Sequence, residues 1–104
     1  SGAVTRPVML AIGAAAGVAN LKLLDRMGLV DKAKQIGTYL RTGLRSALGD
    51  HPKVGDIRGE GLLAAVELVA DRDPYTSLDL ADKTAPRVAA AMAERGVIAG
   101  DATR

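Results

Sequence analysis

The stretch Val54-Gly-Asp-Ile-Arg-Gly-Glu-Gly-Leu-Leu-Ala-Ala-Val-Glu-Leu-Val69 decides the fold of this 104-residue chain. Val54 to Gly59 forms a short first strand, and the alternation in Leu62 to Val69 predicts a second. One face of that strand carries Leu62, Ala64, Val66 and Leu68, and the other carries Leu63, Ala65, Glu67 and Val69. Both faces are largely apolar, with Glu67 marking the wetter side. Gly59-Glu60-Gly61 supplies residues that tolerate positive φ in a tight reversal, so the two runs read as a β-hairpin.

Helical periodicity lies upstream. From Pro7 to Arg26 no further proline interrupts an apolar run, Pro7 suits a first helical turn where its missing N–H costs nothing, and Gly28 ends the segment. Gly13 and Gly17 lie four apart, each weakening the helix by roughly 1 kcal/mol relative to Ala, which points to a backbone packed closely against them. Because Pro7 to Ala19 follows Arg6, a signal peptide or a membrane GxxxG motif is the competing interpretation. The run is short of the roughly 20 apolar residues a bilayer requires, and the helical pattern continues through Asn20 to Leu24, so a helix buried on most sides is preferred. Between Leu29 and Leu48, positions Ala33, Ile36, Gly37, Leu40, Leu44, Ala47 and Leu48 follow one helix face, with Lys32, Lys34, Arg41 and Arg45 largely elsewhere. The two helices are expected to cover the Leu62–Leu68 face of the hairpin.

Downstream, Asp71-Arg-Asp-Pro-Tyr-Thr-Ser77 is turn-rich, and a helix is expected from near Thr84 to Arg95, with Pro86 early in it and Gly96 ending it. Val97-Ile98-Ala99 reads as a third strand returning parallel to an earlier one. The expectation is an α+β domain spanning residues 1–104, order α-α-β-β-α-β, with three helices packed on a small mixed three-stranded sheet.

Composition supports a folded chain. Apolar residues make up 48% and charged residues 25%, which is ordinary for a globular domain and far from the signature of disorder. The absence of cysteine excludes disulfides and thiolate metal sites and leaves the cytoplasm as the default compartment. A net charge of +2 spread along the chain, with Tyr39 and Tyr75 as the only aromatics, offers neither the basic patch nor the stacking platform of a nucleic-acid binder.

Several motifs together resemble the small C-terminal domain of class III, pyridoxal-phosphate-dependent aminotransferases of the omega type. Gly17-Val-Ala-Asn-Leu-Lys-Leu-Leu24 resembles the end of that domain's first long helix, and Gly28-Leu-Val-Asp-Lys-Ala33 the link into its second. Gly37-Thr-Tyr-Leu-Arg41, His51-Pro-Lys-Val-Gly-Asp-Ile-Arg-Gly-Glu-Gly-Leu62 and Ala93-Glu-Arg-Gly-Val-Ile98 follow in the family's order. The resemblance implies a homodimeric parent enzyme that moves an amino group between an amino donor and a keto acid or aldehyde. It also implies a separate large domain holding pyridoxal phosphate, with this segment as scaffold and cleft wall, inactive alone. Two departures limit the carry-over. Ala3-Val-Thr-Arg6 and a missing histidine break the family's usual entry segment, so no cofactor role falls on Ser1-Gly2, which equally reads as a cloning scar. The family's arginine for the substrate carboxylate lies beyond the matched strand, and that role is not assigned to Arg104.

Pyridoxal-phosphate chemistry needs a lysine amine, a carboxylate for the pyridinium nitrogen and donors around a phosphate. Lys22, Lys32, Lys34, Lys53 and Lys83 all read as solvated charges, and the resemblance places the reactive lysine in the large domain. His51 has no second imidazole or cysteine with which to share a metal. Arg58 either pairs with a carboxylate or faces solvent, Glu67 is either exposed or covered by another domain, and Asp71-Arg72-Asp73 reads as a solvated turn. Gly55, Gly59 and Gly61 lack the Lys-Ser or Lys-Thr of a phosphate loop. No residue is therefore assigned a catalytic, cofactor-binding or metal-binding role. The alternative is a free-standing α+β interaction module that uses the sheet face bearing Leu63, Ala65 and Val69.

Overall fold

The computed structural model describes residues 2–79 and 81–101, so Ser1 and Arg104 lie outside the described residues. Helix α1 spans Gly2–Arg26, α2 Leu29–Leu48 and α3 Thr84–Glu94, and the strands are β1 Val54–Glu60, β2 Leu63–Arg72 and β3 Tyr75–Ser77. The class is α+β, with three helices and a three-stranded sheet ordered β1-β2-β3 among the described residues.

The hairpin is the rigid centre. β1 and β2 pair antiparallel from Val54 opposite Leu68 to Glu60 opposite Leu63, with an irregularity at Gly55. The reversal is tighter than Gly59-Glu60-Gly61 suggested, because Gly59 stays in the ladder and Gly61-Leu62 alone turns the chain. Gly61 has φ 54° and Leu62 keeps a negative φ, the pattern of a II′ hairpin turn, which suits the twist of the strands.

The third strand differs in place and direction. β2 continues past Val69 to Arg72, and Tyr75–Ser77 folds back antiparallel onto it, so the described sheet is antiparallel throughout. The segment read as a turn-rich loop thus contains two β-prone residues, Tyr75 and Thr76, held by the ring of Tyr75 over Gly55. Val97-Ile98-Ala99 has no strand partner among the described residues, and Ile98 is 97% exposed.

Only α2 packs extensively on the sheet. Gly37, the one buried residue of α2, lets the helix approach until a Cβ there would overlap the Gly61 carbonyl. Arg41 Nη1 then donates to Gly61 O at 2.6 Å and Arg45 Nη2 to Ile57 O at 3.4 Å. These arginines lie four and eight residues beyond Gly37, on its own side of the helix, rather than away from the sheet as their charge suggested. The core is small: Val54, Ile57 and Val69 are the buried hydrophobic residues among those described. Val69, at 1% exposed, is therefore not part of an open face.

Helix α1 stands apart. It begins at Gly2 with Pro7 inside it, longer at its start than the proline suggested, since one missing i→i−4 bond near the beginning of a helix is tolerable. It touches α2 but makes no extensive contact with the sheet, contrary to the expectation that both long helices would cover it. With its added turns, Ala3–Arg26 is long and apolar enough, by length and composition, to cross a membrane, which corrects the shorter estimate from Pro7 to Ala19. The projecting helix raises the radius of gyration to 20.0 Å, against about 13 Å for a compact domain of this length.

Candidate functional site

The hairpin and α2 create three places with distinct chemistry. The first is a polar ladder on the sheet face opposite Ile57. Asp56 and Glu67 are cross-strand neighbours, and Arg58 lies two residues along on the same face. Arg58 Nη1 bridges Asp56 Oδ2 at 3.2 Å and Glu67 Oε2 at 3.0 Å, while the Tyr75 hydroxyl donates to Glu67 Oε1. Donation to the Glu67 and then the Asp56 carboxylate holds the Arg58 guanidinium above its ordinary pKa. Glu67 and Arg58 thus pair with each other. With both carboxylates engaged by the same guanidinium, the ladder ties three strands together and presents no free acid–base pair.

The second place is an open apolar cleft of about 380 Å³ between the α1–α2 turn and the hairpin tip. Leu24, Leu29, Val30 and Ala33 line it, with Lys34 and Glu60 at its edge. Neither Lys34 nor Glu60 has an ion-pair partner among the described residues. Leu62 and Leu63 at the hairpin tip remain 56% and 77% exposed.

The third is a more polar cleft of about 300 Å³ that includes Arg45, Asp50, Asp56 and Arg72. Two guanidiniums suggest anion binding, but Arg72 Nη1 donates to Gly49 O at 2.8 Å, at the end of α2. The negative end of the helix dipole occupies that direction, so the arginine serves as a cap and the cleft disfavours an anion.

The remaining sequence candidates fall outside these places or at their rims. Lys22, Lys32, Lys34, Lys53 and Lys83 are all exposed, and Lys53 Nζ donates to Ala70 O at 2.6 Å. None of these five amines is buried. His51 Nδ1 accepts the Lys53 N–H at 3.0 Å and shapes a turn. Asp71 Oδ1 likewise accepts the Asp73 N–H at 3.2 Å. Among the described residues no cluster of His, Cys, Asp or Glu could hold a metal ion. Gly55 and Gly59 pack against Val69 and the Leu63 backbone, not around a phosphate.

Sequence reasoning missed the cleft and the reach of Arg41 and Arg45. The i, i+4 spacing of Gly37, Arg41 and Arg45 was the available signal for the arginines. The cleft has no local signature, because it forms between segments that meet only when Gly37 seats against Gly61.

A family model for Aminotransferase class-III matches residues 9–104. The diaminobutyrate–2-oxoglutarate transaminase of Halomonas elongata is 42% identical over 89 residues, covering 86% of this chain and 19% of that protein. The taurine–pyruvate aminotransferase of Bilophila wadsworthia is 35% identical over 92 residues, covering 88% of this chain and 20% of its own length. A solved transaminase from directed evolution by ancestral reconstruction superposes with a TM-score of 0.79 at 47% identity, covering 84% of this chain and 19% of that one. The chain spans about a fifth of the length of the relatives it matches.

Proposed function

This chain belongs to the class-III aminotransferases, and from that premise we propose that it is the C-terminal small domain of an omega-type enzyme acting in the cytoplasm. The parent moves an amino group from an amino donor to a keto acid or aldehyde, as a homodimer with a large cofactor-holding domain. Pyridoxal phosphate, bound in the large domain, supplies the electron sink for that transfer. The observation that carries this reading is the family match across residues 9–104, at a fifth of the relatives' length.

The contribution of these residues is mechanical. Arg41 and Arg45 lock α2 to the hairpin, and the Asp56–Arg58–Glu67–Tyr75 ladder stiffens the sheet. Such a unit suits a cleft wall that must keep its shape while excluding water. The isolated chain is expected to be inactive, because its exposed lysines lack the desolvation that activates an amine nucleophile. A free-standing interaction module is the less favoured reading, since Val69 is covered and the match takes up only about a fifth of every relative named above.

The test is chemical. The isolated chain incubated with pyridoxal phosphate and borohydride should yield no stoichiometric adduct at a unique lysine, as read by peptide mass mapping. A single-site stoichiometric adduct would refute the proposed division of labour.

A further inference from the structure

We propose that Gly28 is a two-state joint: its left-handed form bends α1 out of line with α2, and a turn of its backbone into the right-handed form joins both into one straight helix from Gly2 to Leu48. The joint goes beyond the aminotransferase reading and stands without it. Gly28 has φ 60° and ψ 36°, and left-handed geometry at a single residue interrupts a right-handed helix. The chain on either side is already helical. Met27 N–H donates to Leu23 O at 3.0 Å and Lys32 N–H to Gly28 O at 3.1 Å, both in the i→i−4 pattern, while Gly28 N–H donates to Asp25 O at 3.1 Å, one residue short of it. Glycine takes either hand about equally readily, so rotation at one residue separates the two forms.

Little else holds the bend. A Cβ built at Gly28 meets nothing within 4 Å among the described residues, and α1 makes no extensive contact with the sheet. Near the joint, Leu24, Leu29, Val30 and Ala33 line a cleft that stays open, and Met27 and Val30 are 50% and 64% exposed. The bend therefore removes little apolar surface from water. Gly28 has no side chain with which to cap α2, whereas a straight helix offers the N–H groups of residues 28–31 the carbonyls of residues 24–27. Two charges favour the bend. Arg26 lies in the last turn of α1 and Asp31 in the first turn of α2, where each complements a helix end that exists only while the chain is bent. The bent form is accordingly the major one and the straight form its minor partner. Gly28→Ala penalises the left-handed form and favours the helical one, which together raise the straight-to-bent ratio about 30-fold.

The chain contains no cysteine, so spin labels at Ile12→Cys and Thr42→Cys, both exposed positions, report the joint through electron–electron double resonance. At about 1.5 Å per residue a straight helix sets these positions about 45 Å apart, and the bend brings them closer. With Gly28 in place, the shorter distance should dominate over a minor population near the straight-helix value. Gly28→Ala should make the longer distance the major one while the helical circular-dichroism signal is kept. Gly28→Asn, which tolerates the left-handed form, should keep the shorter distance. A Gly28→Ala chain that shows only the shorter distance overturns the proposal. So does one whose helical signal falls, because the straight form keeps every helical residue. A longer distance that already dominates with Gly28 in place overturns it too. Diluting the labelled chain about ten-fold with unlabelled chain should leave both distances in place; a longer distance that disappears on dilution arises between two copies and overturns the joint.

Discussion

Gly37→Ala and Gly43→Ala are the same substitution in the same helix, and the structure gives them opposite signs. At Gly43 a Cβ meets nothing within 4 Å, so Ala should stabilise α2 by about 0.5–1 kcal/mol through helix propensity and a less flexible unfolded chain. At Gly37 the same methyl overlaps the Gly61 carbonyl and stands 3.1 Å from Arg41 Nη1. Both close neighbours in the overlap are backbone, so relief requires α2 and the hairpin to separate. Overpacking of this kind costs about 1–3 kcal/mol, and loss of the Arg41–Gly61 hydrogen bond adds about 1. The helix-propensity gain offsets about 1 kcal/mol, leaving a net loss of about 1–3 kcal/mol. Urea titrations followed by circular dichroism would read the difference, and melting temperature should fall by about 4–8 °C per kcal/mol. If Gly37→Ala stabilised the chain as much as Gly43→Ala, α2 would not be seated on the hairpin and the geometry argued above would be wrong.

Further expectations concern packing, pH and the arginine clamp. Val69→Ala removes side-chain volume from the most buried position of the core, and should lower the unfolding free energy by about 2 kcal/mol, measured by denaturant titration. The Thr84 hydroxyl, then its backbone N–H, holds the Asp82 carboxylate below its usual pKa of 3.8. Its stabilising effect is therefore present above the unfolded value and is lost as pH falls through the lower folded one. The Thr84 amide shift should titrate with a midpoint below 3.8; a midpoint at or above that value would rule out the Asp82–Thr84 contact. Arg41→Met keeps much of the stem but removes the donor to Gly61 O, and faster amide exchange at the hairpin tip is the expected result. Unchanged exchange there would assign the clamp to packing alone.

The hairpin was legible because its signals are local. Alternation in Leu62 to Val69 and a glycine at the turn needed no knowledge of the rest of the chain. Both ends of α2 were equally plain, between Gly28 and Gly49. The third strand was not, because Tyr75–Ser77 is short and becomes a strand only when β2 runs on beyond Val69 and Glu67 meets the Tyr75 hydroxyl. Val97–Ala99 has a strand-like composition but no neighbouring edge to satisfy it among the described residues. For α1, an apolar run with no proline after Pro7 and a glycine at its end correctly gave a helix, whereas the expected burial on most sides is not met among the described residues, where α1 touches α2 and is otherwise largely exposed. The ladder was half legible. Arg58 and Glu67 stood out as charges on one hairpin, and their contact depended on the register that sets Arg58 opposite Ala65.

The central claim is that these residues complete an aminotransferase without performing its chemistry, and amino transfer to a keto acid measures that directly. A hybrid of the Halomonas elongata enzyme that carries this chain in place of its matching segment should turn over its amino donor in the presence of pyridoxal phosphate, and the 104-residue chain under the same conditions should show no turnover. Transfer catalysed by the isolated chain, or a folded hybrid dimer that binds cofactor yet transfers nothing, would contradict it.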